Sequence, residues 1–160
     1  MTLSDYKDIA AIGGVVIALI ALIKGVYEYM KQGSQKRAEQ FLEMRKRLKE
    51  NDTFRELAAL IEINDPELLK VPFKDKLHYV GFFEEIALML NSGLIRVQVA
   101  HYMFGYYAIR CWDNEYFWSD MNRNTQYWTA FKDFVDRMKA IEASFKYDRR
   151  KFRLLNPRAK

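Results

Sequence analysis

The stretch from Ile9 to Ile23 reads IAAIGGVVIALIALI, fifteen residues in a row without a charged or hydrogen-bonding side chain. This stretch alone is shorter than the roughly 20 apolar residues that cross the hydrocarbon core of a bilayer. Its continuation to Met30 supplies the missing length, because a helix rises about 1.5 Å per residue and the whole segment then spans about 33 Å. The sequence therefore predicts a single transmembrane helix over residues 9–30.

Two alternatives compete with a transmembrane helix at this place. A cleaved signal peptide has a basic leader, but here Asp5 and Asp8 stand against Lys7 ahead of the apolar run. A core helix of a soluble domain is apolar on one face, whereas this run is apolar on all sides and contains the Gly13-Gly14 pair. Because glycine is more frequent in membrane helices than in soluble ones, the transmembrane interpretation is favoured.

Basic residues flank the apolar run on its C-terminal side. Only Lys7 precedes the run, whereas residues 31–50 contain seven lysines and arginines. Cytoplasmic flanks are enriched in positive charge, so we expect a single-pass protein of the bacterial inner membrane with its N-terminus outside. The predicted segments are an outer N-terminus at 1–8, the transmembrane helix at 9–30, a basic juxtamembrane helix at 31–50, a helical cytoplasmic domain at 51–147 and a basic tail at 148–160.

Small residues recur along the apolar helix at spacings of four, four, three and four. Small side chains let two helix backbones approach closely within a membrane, although alanine and glycine are common there and form such stripes by chance. The spacing predicts self-association of the chain, with a homo-oligomer as its product. The candidate residues are Ala10, Gly14, Ala18, Ala21 and Gly25.

The overall composition is that of a packed domain with a basic surface. Half of the residues are hydrophobic and 15% are aromatic, which excludes a disordered chain, and the single Cys111 excludes an internal disulfide. The net charge of +5 suits anionic lipid headgroups, while nucleic acid is disfavoured because no reading motif accompanies the charge. The candidate membrane-surface residues are Lys24, Lys31, Lys36, Arg37, Arg149, Arg150 and Lys151.

Helical periodicity divides the rest of the chain into helices, and no run of four or more residues alternates convincingly as a strand. The predicted fold class is all-α: an N-terminal transmembrane helix followed by an irregular bundle of four to five helices. Residues 35–50 either continue the membrane helix or begin a new helix after Gly33-Ser34. The other predicted helices are a short one from Thr53 and longer ones over 74–91, 95–112 and 125–147.

Local signals mark several helix ends in this part of the sequence. Thr53 and Glu56 have the spacing of a capping box, in which the two side chains satisfy exposed backbone amides. Asp65 followed by Pro66 is an N-cap with a first-turn proline. Gly93 is a suitable left-handed residue after a helix C-terminus.

Signatures of enzymes are missing from the sequence. It contains no GxxxxGKS/T phosphate loop, no GxSxG elbow, no HExxH pair and no CxxC pair. The two histidines, His78 and His101, lie on different predicted helices without the dense ligand spacing of a metal site. We therefore expect no enzymatic activity, no cofactor and no metal.

Glu84 lies among apolar neighbours on its predicted helix. At 100° per residue it shares a face with Leu77, Val80 and Leu88, so we expect its carboxylate to be buried. A buried carboxylate has to be paired, hydrogen-bonded or protonated, and Arg110 or a tyrosine hydroxyl is the expected partner. The main interpretation is a buried pair that fixes helix register; a ligand-sensing or catalytic carboxylate is the alternative.

Residues 102–107 read YMFGYY and are aromatic on nearly all sides of their predicted helix. Core packing on several sides is the default explanation of such a run. A partner-binding surface is the sharper interpretation, because aromatic residues and arginine anchor many protein interfaces.

Several short motifs occur in order along the middle of the chain: Phe82-Phe83-Glu84, Gly93-Leu94-Ile95, Phe104-Gly105 and Trp112. In this order they resemble a bacterial family of small membrane-anchored proteins, over about residues 35–145. The resemblance implies an N-terminal anchor and a helical cytoplasmic domain of unknown function, and it implies no catalytic residue. Glu84 matches the acidic position of the family pattern, whereas Gly81 stands where that pattern has asparagine.

Two functional hypotheses follow from the sequence. The leading one is a non-enzymatic, membrane-anchored helical module for interaction or signalling, which faces the cytoplasm and binds a protein partner. The alternative is an oligomerising membrane effector, for example in phage defence, that perturbs the bilayer when it is triggered. The small-residue stripe favours the effector, while an anchor without pore-lining polar residues disfavours it.

Overall fold

The computed structural model describes the backbone of residues 3–144 and 146–148, and the side chains of residues 14–33, 35–144 and 146–148. The described residues form helices and no strand, so the all-α prediction is confirmed. Short 3-10 helices cover Pro66–Lys70 and Gln126–Trp128, and a π-helical turn covers His101–Gly105. The α-helices are α1 (Leu3–Glu50), α2 (Asp52–Glu62), α3 (Phe73–Asn91), α4 (Val97–Ala100), α5 (Tyr106–Asp113) and α6 (Thr129–Ala143).

The prediction of a transmembrane helix over residues 9–30 is wrong. Among the residues that the structure describes, no helix combines the length and the apolarity that a membrane crossing requires. The reason lies in the C-terminal extension of the run, where Ile23 is followed by Lys24, Glu28 and Lys31. Charged side chains are costly in hydrocarbon, so the extension does not supply the missing apolar length. The single-pass membrane assignment is corrected together with the helix.

The first helix, α1, runs without interruption from Leu3 to Glu50, so the segment after Gly33 continues it. The chain divides into two compact units, one that ends at Ala38 and one that begins at Glu39. The second unit therefore includes the C-terminal part of α1. Two side chains from this part, Phe41 and Leu48, are buried in the core. The predicted boundary of the cytoplasmic domain at residue 51 stays a prediction.

The start of α2 is set by an asparagine cap. Asn51 Oδ1 accepts a hydrogen bond from Phe54 N at 3.0 Å, which satisfies one of the amides that have no partner within the helix. The helix consequently begins at Asp52, and the cap lies at Asn51 instead of the predicted Thr53.

Two other predicted helix signals are confirmed. Asp65 caps the 3-10 helix Pro66–Lys70, where its Oδ1 accepts a hydrogen bond from Glu67 N at 2.8 Å. Gly93 follows α3 with φ of +67°, a left-handed conformation that glycine adopts without steric cost.

The core of the second unit is built from aromatic side chains around α3. Phe83 of α3 stacks on Phe131 of α6 with ring centres 5.5 Å apart. Phe82 meets Phe54 of α2 edge to face, with ring centres 5.3 Å apart. Such ring pairs contribute beyond the area that they bury, so α3 is held firmly between α2 and α6.

Candidate functional site

A π-helical turn joins α4 to α5 and sets the direction of the side chains that follow it. Turns of this kind are rare and frequently occur at functional sites. Space at position 105 is tight, since a Cβ there would lie 3.0 Å from His101 Cδ2 and 3.4 Å from Met138 Sδ. The sequence predicted an uninterrupted helix here, because the apolar pattern does not report the change in backbone hydrogen bonding.

Three exposed side chains follow one another along the π-helical turn and α5. Tyr102 is 62% exposed and Tyr106 is 45% exposed, and Arg110 is exposed as well. The guanidinium carbon of Arg110 lies 5.5 Å from the centre of the Tyr106 ring, within the range of a cation–π contact. We call Tyr102, Tyr106 and Arg110 the tyrosine–arginine face.

Glu62, at the end of α2, orients the middle of this face. The Tyr106 hydroxyl donates a hydrogen bond to the Glu62 carboxylate. This hydrogen bond raises the pKa of Tyr106 above its usual 10.0, while Arg110 opposes the increase. The ring of Tyr106 is therefore held by Arg110 on one side and by Glu62 at its hydroxyl.

Glu84 does not form the predicted pair with Arg110. Its side chain is half-buried and makes no hydrogen bond or ion pair with any residue that the structure describes. Burial raises the pKa of Glu84 above its usual 4.5, because desolvation disfavours the charged form. The predicted face is buried only in part: Val80 is fully buried, whereas Leu88 is exposed.

A buried charged residue that the sequence analysis missed is Lys76 of α3. Its side chain is 0% exposed, and its Nζ donates a 2.7 Å hydrogen bond to Asp120 Oδ1. The pair satisfies the buried ammonium group and connects the segment between α5 and α6 to α3. The sequence contained a signal for this burial, because Lys76 lies three residues before Tyr79 and four before Val80. This is the spacing of residues on one helix face.

Tyr79 and Cys111 are titratable side chains within the aromatic core. Burial raises the pKa of both groups well above their usual values of 10.0 and 9.0. The Tyr79 hydroxyl has no hydrogen-bond partner among the described residues. Nucleophilic cysteines are partly exposed thiolates, so the buried thiol of Cys111 is a core side chain.

The two histidines occupy different environments. His78 is exposed on α3, whereas His101 is half-buried in the π-helical turn. Burial lowers the pKa of His101 below its usual 6.5, and Glu142 opposes that decrease. Within the described part of the chain, no three histidine, cysteine or acidic side chains are grouped as a metal site would require.

A groove lies between the last turns of α1 and the C-terminal half of α3. Its carboxylates come from both helices, and its apolar lining comes from two methionines and one leucine. We call it the α1–α3 groove. Its volume is about 580 Å³, and its lining residues are Glu39, Gln40, Glu43, Met44, Glu85, Met89 and Leu94.

Three carboxylates line the groove, and one of them forms an ion pair with a described residue. Arg47 donates two hydrogen bonds to Glu85, at 2.9 and 3.1 Å, and the same guanidinium lies 5.2 Å from the centre of the Phe82 ring. Glu39 and Glu43 make no ion pair with any residue that the structure describes. The groove is therefore apolar in its lining and acidic along α1.

The residues predicted for self-association belong to the first unit. Ala18 and Ala21 are exposed, and a Cβ placed on Gly14 or Gly25 would meet no described atom within 4 Å. The side chain of Ala10 lies outside the described residues. Self-association through this stripe stays a prediction.

The residues predicted for a lipid surface are distributed over both ends of the chain. Lys24, Lys31 and Lys36 are exposed, and Arg37 is half-buried. Their binding to lipid stays a prediction. Three further candidates lie outside the described residues, namely Arg149, Arg150 and Lys151.

Comparison with known proteins found no relative of this chain. No family model, no curated protein and no solved structure matches the chain. The resemblance to the family of small membrane-anchored proteins therefore stays a prediction. In the structure its motif residues serve the fold: Phe82, Phe83, Phe104 and Trp112 are buried, and Gly93 ends a helix.

Proposed function

We propose that this chain is a non-enzymatic helical interaction module whose protein partner binds the tyrosine–arginine face. The observation that carries the proposal is the exposed row of Tyr102, Tyr106 and Arg110 along one helical segment. Tyrosine and arginine are enriched among the residues that contribute most of the free energy of protein–protein binding. Each also offers an apolar surface together with a polar end.

The face is ordered before any partner arrives. The Tyr106 hydroxyl is bonded to Glu62 and its ring is covered by Arg110. Ordering a long side chain on binding costs about 0.5–1.5 kcal/mol. Tyr106 and Arg110 have therefore already lost part of their conformational freedom in the free protein.

The backbone beneath the face is firmly packed. Phe104 and Ala108, on the opposite side of the same helical segment, are both fully buried. Phe104 contacts Phe41 of α1 and Phe82 of α3, with ring centres 5.6 and 5.9 Å away. A surface that is fixed on such a segment presents its side chains in one arrangement, as a specific interface requires.

The proposal is tested by site-specific photo-crosslinking in cells. A benzophenone amino acid replaces Tyr102 in the full chain, and a parallel chain carries it at Tyr127, which is also exposed. Irradiation should give a discrete crosslinked product from position 102 and none from position 127. Arg110→Ala in the first chain should remove the product, since it deletes one anchor of the proposed interface.

The substitution has to leave the fold intact for this result to be informative. Arg110 is exposed and contacts the ring of Tyr106, so the thermal unfolding of Arg110→Ala should follow that of the unsubstituted chain. Equal products from positions 102 and 127, or a product that survives Arg110→Ala, would contradict the proposed interface.

A further inference from the structure

We infer that the α1–α3 groove binds a basic amphipathic helix contributed by another protein. This surface is separate from the tyrosine–arginine face, and the inference does not depend on the function proposed above. A basic amphipathic helix presents an apolar stripe flanked by lysine or arginine, and such helices dock into apolar grooves. The groove offers the complement of both features, apolar side chains from Met44, Met89 and Leu94 and carboxylates from Glu39 and Glu43.

The methionines give the groove an adaptable apolar lining. Met44 and Met89 are partly buried against the core, while Leu94 is partly exposed. Methionine is unbranched and polarizable, and surfaces rich in methionine repack around different apolar side chains. Along α1 the lining runs from Glu39 to Met44, about one and a half helical turns. That length accommodates two anchor side chains one turn apart on a bound helix.

The acidic pair on α1 points to a positively charged occupant. Glu39 and Glu43 are four residues apart on one helix, and like charges at this spacing repel each other. Neither carboxylate has an ionic partner among the described residues. A lysine or arginine of a bound helix would lie between two carboxylates and remove this repulsion.

One arginine beside the groove already has other partners. Arg47 forms two hydrogen bonds with Glu85 and packs its guanidinium over the rings of Phe54 and Phe82. These contacts orient the guanidinium toward Glu85 and the two rings. Within the groove an anionic ligand would meet the like charge of Glu39 and Glu43, so these two carboxylates favour a basic peptide.

The inference is tested by measuring peptide binding to the full chain by calorimetry or fluorescence anisotropy. The probe is a synthetic helix of leucine and lysine at amphipathic spacing, and its twin has glutamate in place of every lysine. The lysine peptide should bind saturably, and added salt should weaken it because screening reduces the attraction between exposed charges. The glutamate twin should bind at least tenfold more weakly.

Substitutions in the groove locate the binding. Glu39→Gln with Glu43→Gln should weaken the lysine peptide at least tenfold, and so should Leu94→Arg, which places a cation in the apolar lining. The matched control is Glu56→Gln with Glu115→Gln, which removes two exposed carboxylates outside the groove. The control should change the affinity less than threefold.

Three results would overturn the inference. The first is that the groove substitutions and the control substitutions weaken peptide binding equally, which would mean that the peptide responds only to the net charge of the chain. The second is binding of the glutamate twin within threefold of the lysine peptide. The third is tighter binding of a peptide with residues 146–160 of this chain, which would assign the groove to a segment of the protein itself. Since Arg110→Ala lies outside the groove, it should leave peptide binding unchanged whether or not the tyrosine–arginine face binds its own partner.

Discussion

Apolar side chains occur in both the N-terminal and the C-terminal part of α1, but they are exposed in the first part and buried in the second. In the first unit Ile17 is 70% exposed and Leu22 and Ile23 are exposed as well. In the second unit Phe41 is 1% exposed and Leu48 is also buried. Both stretches are helical over their whole length, so local conformation does not account for the difference.

The comparison shows that burial depends on what surrounds a helix more than on its own composition. The first stretch is apolar on every side, and no neighbouring element within its own unit covers its side chains in the described structure. The second stretch has few apolar residues, but Phe41 and Leu48 lie seven residues apart on one stripe, the spacing of residues on one helix face. A stripe allows the rest of the helix to stay polar while one side joins a core.

The largest expected effect separates these two stretches directly. Phe41→Ala removes a ring that meets Phe104 with centres 5.6 Å apart, and truncation of a buried phenylalanine costs about 3–5 kcal/mol in the free energy of unfolding. Ile20→Ala removes an exposed side chain and should change that free energy by less than about 0.5 kcal/mol. Urea unfolding of both variants measures the two values, and similar losses would show that the contrast in burial is not real.

Glycines provide a second and smaller contrast between the units. Gly105→Ala would place a methyl group 3.0 Å from His101 Cδ2, and overpacking of this kind costs about 1–3 kcal/mol. Gly25→Ala meets no described atom within 4 Å and replaces a helical glycine by a better helix former. We expect a lower melting temperature for Gly105→Ala and no decrease for Gly25→Ala. An unchanged melting temperature for Gly105→Ala would mean that the π-helical turn accommodates a methyl group.

Tyrosines provide a third contrast, in which removal of a polar atom is expected to stabilise the protein. The buried Tyr79 hydroxyl has no hydrogen-bond partner among the described residues, and a buried group in this state carries a desolvation penalty of about 1–3 kcal/mol. Tyr79→Phe should therefore raise the free energy of unfolding by about 1 kcal/mol. Tyr29→Phe, at an exposed position, should leave it unchanged. A loss of stability in Tyr79→Phe would reveal a partner such as a bound water.

The sequence predicted well those features that depend on neighbouring residues. The helix predicted over 74–91 is observed as Phe73–Asn91, and Gly93 ends it in the expected conformation. Such features are set by backbone conformation and by caps within a few residues. The last helix was predicted over 125–147 but covers Thr129–Ala143, because a 3-10 helix occupies its expected first turn.

Features that depend on distant parts of the chain were predicted less well. The run at 102–107 was identified as aromatic, but the sequence did not say that Tyr102 and Tyr106 are exposed while Phe104 is buried. Arg110 was expected in the core and lies on the surface instead. The spacing of Lys76 places it on a buried helix face, but the sequence did not identify its partner Asp120, which is 44 residues away. Burial of a polar group is decided by such distant partners, which helical periodicity does not report.

The smallest expected effect concerns the pH dependence of stability at Glu84. Burial raises the pKa of this carboxyl in the folded chain above its usual 4.5, so the folded state binds the proton more tightly than the unfolded state. The contribution of Glu84 to stability is therefore fully present below about pH 4.5 and is lost as the pH rises through the folded-state pKa.

Glu84→Gln keeps a neutral side chain at every pH and should remove this dependence. The variant should be more stable than the unsubstituted chain near neutral pH, and the difference should shrink as the pH falls toward about 4.5. The effect is small because the side chain is only half-buried and water screens it. Urea unfolding at a series of pH values measures it, with Glu28→Gln in the exposed stretch of α1 as the matched control. A variant that is less stable than the unsubstituted chain at neutral pH would mean that the ionised Glu84 has a favourable partner, as the sequence had predicted.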